Sequence, residues 1–280
     1  MTVSCYFAAV HAPDWVDLKA AAWEAIVECG IKGIDIRVSW PTSGTSKDER
    51  QLAKCVLKAG LEVRCHGWVG RSVDGVAVAG FADGLRQGGW MGSAGRQLGA
   101  GFVGMNAEKD VWRGPDGKAN PGALAFYKGF YEGSLMAHSE GLLQDVGFAD
   151  PREHYTTADL DGDRHPDNLI PLEVSELFDR KGVMAYQSHE SVLKRKLARG
   201  RAIAGPAVPL TWWGSVGRID KQHGVVGSYH ATLKGCRERW SDLDEWVGYV
   251  GFGAIGQLVE GHATHPPLVD LVRAINGKVV

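Results

Sequence analysis

A glutamate lies where a predicted strand ends. In GFVGMNAEKDVW an apolar strand is predicted over 101–106, and Glu108 follows it. Because side chains alternate along a strand, Gly104, Asn106 and Glu108 share one face. A carboxyl group at the rim of a cavity is partly desolvated, which raises its pKa and lets it act as a general acid near neutral pH. The other interpretation is a surface glutamate at the start of a loop. The position directly after an apolar strand favours the role of general acid.

Hydrolysis of a glycosidic bond usually needs a second carboxyl group. It lies about 5–5.5 Å from the first in retaining enzymes and roughly 6.5–9.5 Å away in inverting ones. Asp35, Asp110 and Asp150 are the candidates. Asp150 is preferred because it ends the next predicted strand, and Asp35 comes second because it lies within a strand. Asp35 also has a structural interpretation, as a partner of Arg37 or Arg64.

Aromatic and amide side chains also gather at predicted strand ends. The chain has ten tryptophans, and those at strand ends are Trp40, Trp68, Trp112, Trp212 and Trp213. Indole rings stack on the C–H faces of sugars, so Trp68 and Trp212 are predicted platforms. The predicted ligands of sugar hydroxyl or acetamido groups are Asn106, His66, Tyr186 and Gln187. The alternative for each tryptophan is packing between strands and helices.

An acidic segment carries oxygen ligands at the spacing of a calcium loop. Asp159, Asp161, Asp163 and Asp167 occupy positions 1, 3, 5 and 9, and the carbonyl of His165 falls at position 7. The run resembles the DxDGDGxxD loop, with Arg164 where glycine is common. We expect either a structural Ca²⁺ site or a solvated acidic loop, and no cofactor is expected to be required for catalysis.

The elements that must position these residues alternate along the chain. Apolar runs predict strands at 5–10, 33–38, 61–68, 101–106, 142–149, 182–187, 207–212 and 246–252. Amphipathic segments predict helices at 15–29, 47–59, 121–139, 190–199, 228–240 and 267–275, with a weaker helix in the glycine-rich segment 72–98. This alternation predicts an α/β fold with a parallel sheet. Eight units in a chain of this length predict a single (β/α)₈ TIM barrel over 1–280, with a long acidic loop at about 150–181.

An open doubly wound sheet is the rival fold. Its nucleotide-binding versions carry a GxGxxG or GxxxxGK[ST] segment after the first strand, which this chain lacks. In a barrel, functional residues lie at the carboxyl ends of the strands. The polar strand ends described above therefore fall at one mouth.

Composition excludes several classes of protein. Lys and Arg total 31 and Asp and Glu 33, a net charge of -2, so no basic field for nucleic acid is expected. No apolar run reaches the roughly 20 residues of a membrane span. The five scattered cysteines favour a reducing compartment. No secretory signal is predicted at the start of the sequence, so we expect synthesis in the cytoplasm.

Four segments resemble TIM-barrel glycoside hydrolases, in particular the lysozyme-like barrels of phage and bacterial cell-wall hydrolases: GIDIRVSW, VGMNAEKDVW, GVMAYQS and PLTWWGS. The family 25 muramidases carry Asp-x-Glu after the fourth strand, with Glu as the proton donor. The matching triplet here is Asn106-Ala107-Glu108, in which an amide replaces the aspartate. The resemblance implies a phage-type enzyme that acts on peptidoglycan, with Glu108 as the acid.

Two other functions stay open. A non-catalytic glycan-binding or phage structural barrel is favoured by the missing aspartate. A metal-dependent barrel hydrolase would use His11 and His66, although AAVHAPDW lacks the HxH of such enzymes. The sequence leaves the oligomeric state open.

Overall fold

The computed structural model describes residues 4–28, 30–38, 44–69, 80–107, 122–137, 143–148, 178–184, 209–216 and 244–250, with single residues between 191 and 201 and at 255. Within these ranges no helix combines the length and hydropathy needed to cross a bilayer.

Eight parallel strands form a closed barrel. They are β1 Ser4–Ala9, β2 Gly33–Val38, β3 Glu62–Val69, β4 Phe102–Ala107, β5 Leu143–Phe148, β6 Arg180–Met184, β7 Leu210–Val216 and β8 Glu245–Val250. Each strand pairs with the next along the chain, and β8 pairs with β1. The predicted α/β class and parallel sheet are therefore confirmed.

Helices follow the strands through the first half of the barrel. They are α1 Pro13–Val16, α2 Ala20–Glu28, α3 Lys47–Lys58, α4 Gly80–Leu98 and α5 Ala123–Ala137. The helix predicted over 15–29 is two helices, α1 and α2. The helices predicted at 228–240 and 267–275 lie outside the described residues. A complete set of eight helices therefore stays a prediction.

Local signals account for the helix ends in this half. Gly30 and Gly60 follow α2 and α3 with φ of 85° and 78°, conformations that glycine adopts without steric cost. Ser46 precedes α3 and forms a capping box with Glu49. The Ser46 hydroxyl accepts a hydrogen bond from the Glu49 backbone amide, and the Glu49 carboxylate accepts one from the Ser46 backbone amide.

The two faces of each strand have different environments. Outward side chains such as Phe7, Ile36 and Val103 join one large core with the helices. Inward side chains form a smaller cluster of Tyr6, Ala8, Trp213 and Val247. Buried polar side chains share this inward face, so the lumen of the barrel contains the buried groups that could take part in chemistry.

A cluster of ion-paired side chains fills the lumen near the amino-terminal ends of the strands. Arg64 Nη1 and Nη2 donate to the two carboxylate oxygens of Glu245 at 3.1 and 3.0 Å. Arg180 and the Thr211 hydroxyl also contact this carboxylate. The Arg64 guanidinium lies 3.3 Å from the centre of the Tyr6 ring. Both charged partners of the central pair are buried, so each depends on the other for compensation.

Helices α4 and α5 meet backbone to backbone. A Cβ added to Gly84 or Gly88 would lie 2.0 or 2.1 Å from a carbonyl oxygen of α5. The same holds from the other side, where Gly129 and Gly133 face carbonyls of α4 at 2.1 Å. Any side chain at these positions would force the helices apart. The glycines that make 72–98 a weak helix by propensity are therefore the residues that allow its packing.

This contact yields a prediction with an adjacent control. We expect Gly88→Ala to lower the free energy of unfolding by about 1–3 kcal/mol, because its methyl group would overlap the Phe130 carbonyl. Gly89→Ala places a methyl group 3.8 Å from the nearest atom. It should be neutral or stabilising by about 0.5–1 kcal/mol, because alanine favours the helix. Urea unfolding of both variants tests this, and equal stabilities would contradict the backbone contact.

Candidate functional site

The carboxyl ends of β3 and β4 lie side by side. Trp68 pairs with Asn106 and Val69 pairs with Ala107, the last residues of the two strands. Glu108 is the next residue in the sequence and lies outside the described residues. The predicted strand before Glu108 is confirmed, with its end one residue later at Ala107.

Beneath these strand ends, three inward side chains meet inside the barrel. Asp35 on β2 is 1% exposed, and its Oδ2 lies 4.0 Å from Nδ1 of His66 on β3. The His66 ring packs against the Trp213 ring of β7, with centres 4.5 Å apart and planes inclined by 51°. We call Asp35, His66 and Trp213 the floor group.

Burial keeps the imidazole of the floor group neutral. Desolvation, with a smaller contribution from the positive charge of Arg37, lowers the pKa of His66 to about 3. His66 is therefore uncharged at neutral pH, with one ring nitrogen as donor and the other as acceptor. A neutral imidazole beside a carboxylate can bind and orient a hydroxyl group or a water molecule.

A glycine on β4 makes room for this ring. A Cβ on Gly104 would lie 2.5 Å from Nδ1 of His66. Gly104 is the register partner of His66, two residues before Asn106. The small residue in GFVGMN thus lets the imidazole lie directly against the strand that leads to Glu108.

The predicted stacking role of Trp212 is wrong. Its side chain is fully buried and belongs to the core between strands and helices. Because side chains alternate along β7, the neighbouring Trp213 faces the lumen instead. The sequence contained a sign of this, since Thr211 and Ser215 are polar and share the parity of Trp213, whereas Leu210 and Gly214 share that of Trp212.

Of the other predicted residues, Asp35 and His66 are brought together, and the backbones of Trp68 and Asn106 pair one residue before the ends of adjacent strands. Several positions lie outside the described residues: Glu108, Asp110, Asp150, Tyr186, Gln187 and the calcium-loop residues Asp159, Asp161, Asp163 and Asp167.

The histidines proposed for a metal lie in different settings. His11 follows β1, and its side chain is partly exposed. Its Nδ1 atom lies 3.1 Å from Oδ1 of Asp14. His66 is buried with Asp35. Among the described residues, no three His, Cys, Asp or Glu side chains are grouped as a metal ion requires.

Comparison with known proteins places the fold. No family model and no curated protein matches the chain. A GH18 chitinase from Pseudoalteromonas aurantia superposes with a TM-score of 0.63 at 12% identity, covering 99% of this chain and 100% of that one. An endo-β-mannanase/endo-β-glucanase from Prevotella bryantii gives 0.58 at 7% identity, covering 99% of this chain and 48% of that one.

A third barrel is a glycoside hydrolase family 5 enzyme from Prevotella bryantii B14 in complex with a xyloglucan tetradecasaccharide. It gives a TM-score of 0.56 at 7% identity, covering 93% of this chain and 86% of that one. At these identities the likeness shows the fold alone, a barrel of parallel strands and helices. It carries no statement about the substrate, and the resemblance to family 25 stays a prediction.

Proposed function

We propose that the chain is a glycoside hydrolase that cleaves a polysaccharide at the carboxyl-terminal mouth of its barrel. The observation that carries the proposal is the end of β4 at Ala107, the residue directly before Glu108 in the sequence. A buried carboxylate, Asp35, faces the lumen beneath this end. Acidic groups at and below a barrel mouth are what glycosidic hydrolysis requires.

In this proposal Glu108 protonates the glycosidic oxygen as the bond breaks. Asp150 or Asp35 activates water or stabilises the positive charge at the anomeric carbon. The burial of Asp35 on the inward face supports a role for it in the lumen. Asn106, Tyr186 and Gln187 hold hydroxyl or acetamido groups, and Trp68 provides a stacking surface.

We further propose a cell-wall glycan, with peptidoglycan favoured, as the substrate. The support is the resemblance of the β4 triplet to that of muramidases. The three similar barrels are a chitinase, an endo-β-mannanase/endo-β-glucanase and an enzyme in complex with a xyloglucan tetradecasaccharide, and they support a polysaccharide substrate in general. Ca²⁺ at Asp159, Asp161, Asp163 and Asp167 would hold the segment after β5, a structural role apart from the chemistry.

The test is release of reducing ends by the intact chain from peptidoglycan sacculi, chitin, xyloglucan and β-mannan. We expect release from at least one of them, with peptidoglycan the first expectation. A parallel arm with EDTA separates the metal-dependent hydrolase, because carboxylate catalysis needs no metal at the reacting bond. Loss of activity in EDTA with full recovery on adding Ca²⁺ alone would assign the ion to the acidic segment. Recovery only with a transition metal would overturn the mechanism.

A non-catalytic glycan-binding barrel is the second candidate. The specific observation in its favour is Asn106, which replaces the aspartate of the muramidase triplet. Co-sedimentation with sacculi or chitin without release of reducing ends would decide for it.

A further inference from the structure

The floor group closes the lumen from opposite sides. His66 lies on β3 and Trp213 on β7, which are separated by three strands in either direction around the closed barrel. Their rings nevertheless touch, with centres 4.5 Å apart. The contact therefore crosses the lumen.

Two nitrogen atoms of the floor group are buried without a hydrogen-bond partner among the described residues. They are Nε1 of Trp213 and Nδ1 of His66. Leaving such an atom unsatisfied costs about 1–3 kcal/mol, so most buried polar atoms have a partner. These two atoms point to a ligand that supplies one.

The spacing to Asp35 suits an oxygen atom. The 4.0 Å between Nδ1 of His66 and Oδ2 of Asp35 is too long for a hydrogen bond. A single oxygen atom can lie about 2.8 Å from both atoms and join them, as bridging water or hydroxyl groups do. A sugar hydroxyl can donate to the carboxylate while it interacts with the imidazole nitrogen.

The floor group lies just below solvent on the mouth side. Arg37 comes two residues after Asp35 on β2, on the same face, and its side chain is partly exposed. Tyr249 on β8 has the same relation to the buried Val247. Partial exposure thus begins two residues along the strands from the floor group, toward the carboxyl-terminal mouth.

We propose that Trp213, His66 and Asp35 form the deepest subsite of the mouth and bind hydroxyl groups of one sugar residue. Trp213 Nε1–H donates to a sugar oxygen, and a hydroxyl bridges His66 Nδ1 and Asp35 Oδ2. This deepens the proposed function and rests on it for the class of ligand. Trp213 is a binding residue here, with no part in bond cleavage.

A second tryptophan provides a matched control. Nε1 of Trp246 is also buried without a partner among the described residues. Its ring, however, belongs to the core between strands and helices, where it packs against the Phe7 ring with the ring centres 6.1 Å apart. Trp213→Phe and Trp246→Phe therefore each remove one orphaned N–H and keep an aromatic ring, but only the first acts on the subsite.

The experiment is calorimetric titration of both variants with chitohexaose, cellohexaose, mannohexaose and soluble muropeptides, in the Glu108→Gln background so that no ligand is cleaved. We expect Trp213→Phe to weaken binding of the best ligand about tenfold, the loss of one hydrogen bond. Trp246→Phe should stay within about twofold of its parent. Equal affinities for the two variants, or no binding of any of the four probes by the parent, would overturn the subsite.

Indole ¹⁵N–¹H spectra keep the test independent of how well Trp213→Phe folds. The Trp213 cross-peak is assigned among those of the ten tryptophans in the parent itself, from its proximity to the His66 ring, whose centre lies 4.5 Å from that of Trp213. On titrating the parent with the best ligand, we expect this proton to shift downfield and to exchange more slowly with water. An unmoved Trp213 peak at saturation would overturn the proposal. If titration supports the subsite while the wild type releases no reducing ends, the subsite stands and the hydrolase proposal fails.

Discussion

Replacing Glu245 with alanine is expected to lower the free energy of unfolding by about 3–5 kcal/mol, the usual cost of removing one partner of a buried ion pair. Glu245 accepts two hydrogen bonds from Arg64, contacts Arg180, and accepts from Thr211. Without it, two guanidinium groups share the amino-terminal end of the lumen with no carboxylate between them. Repulsion and lost solvation then act in the same direction.

Urea unfolding followed by circular dichroism measures this loss. Glu24→Ala is the control, because Glu24 is exposed on α2 and its removal should change the stability by less than about 0.5 kcal/mol. The double variant Arg64→Met, Glu245→Leu should be more stable than Glu245→Ala alone, since no buried charge of the central pair remains. A Glu245→Ala protein as stable as the control would show that the ion pairs of Glu245 contribute nothing to the free energy of unfolding.

The strands were predictable because their signals are local. Strand β2 matches the predicted 33–38 throughout, and the glycines at 30 and 60 end helices as expected. Helix α4 was predicted only weakly, since its glycines disfavour an isolated helix. These glycines allow close packing against α5, which lies more than thirty residues away in the sequence. A contact at that separation cannot be predicted from the local pattern.

The candidate site was predictable in part for the same reason. Asp35 and His66 were singled out as residues in or at the end of apolar strands, and both are buried in the lumen. Whether Arg64 pairs with Asp35 could not be read from the sequence. Its bidentate partner is Glu245, 181 residues away, because barrel closure brings β8 near β3 across the lumen. The choice between Trp212 and Trp213 needed the strand register.

The largest expected effect on activity is that of Glu108→Gln. The glutamine side chain keeps nearly the same size and polarity but has no proton to give to the leaving oxygen. General acid catalysis contributes about 10²–10⁴-fold, so we expect kcat for glycan cleavage to fall by at least about a hundredfold. Binding of the polysaccharide should persist, because the amide still forms hydrogen bonds. The thermal midpoint should stay near that of the wild type.

The exposed Glu24→Gln variant is the matched control, with the same chemical change away from the barrel mouth. It should retain full activity on every substrate that the wild type cleaves. A loss shared by both variants would point to a fault in the preparation.

The most direct measurement is therefore the initial rate of reducing-end release by wild type, Glu108→Gln and Glu24→Gln on whichever glycan the wild type degrades. The proposed mechanism predicts full rates for the wild type and for Glu24→Gln, and a rate at least about a hundredfold lower for a folded Glu108→Gln. Full cleavage by Glu108→Gln would contradict it and remove this glutamate from the chemistry.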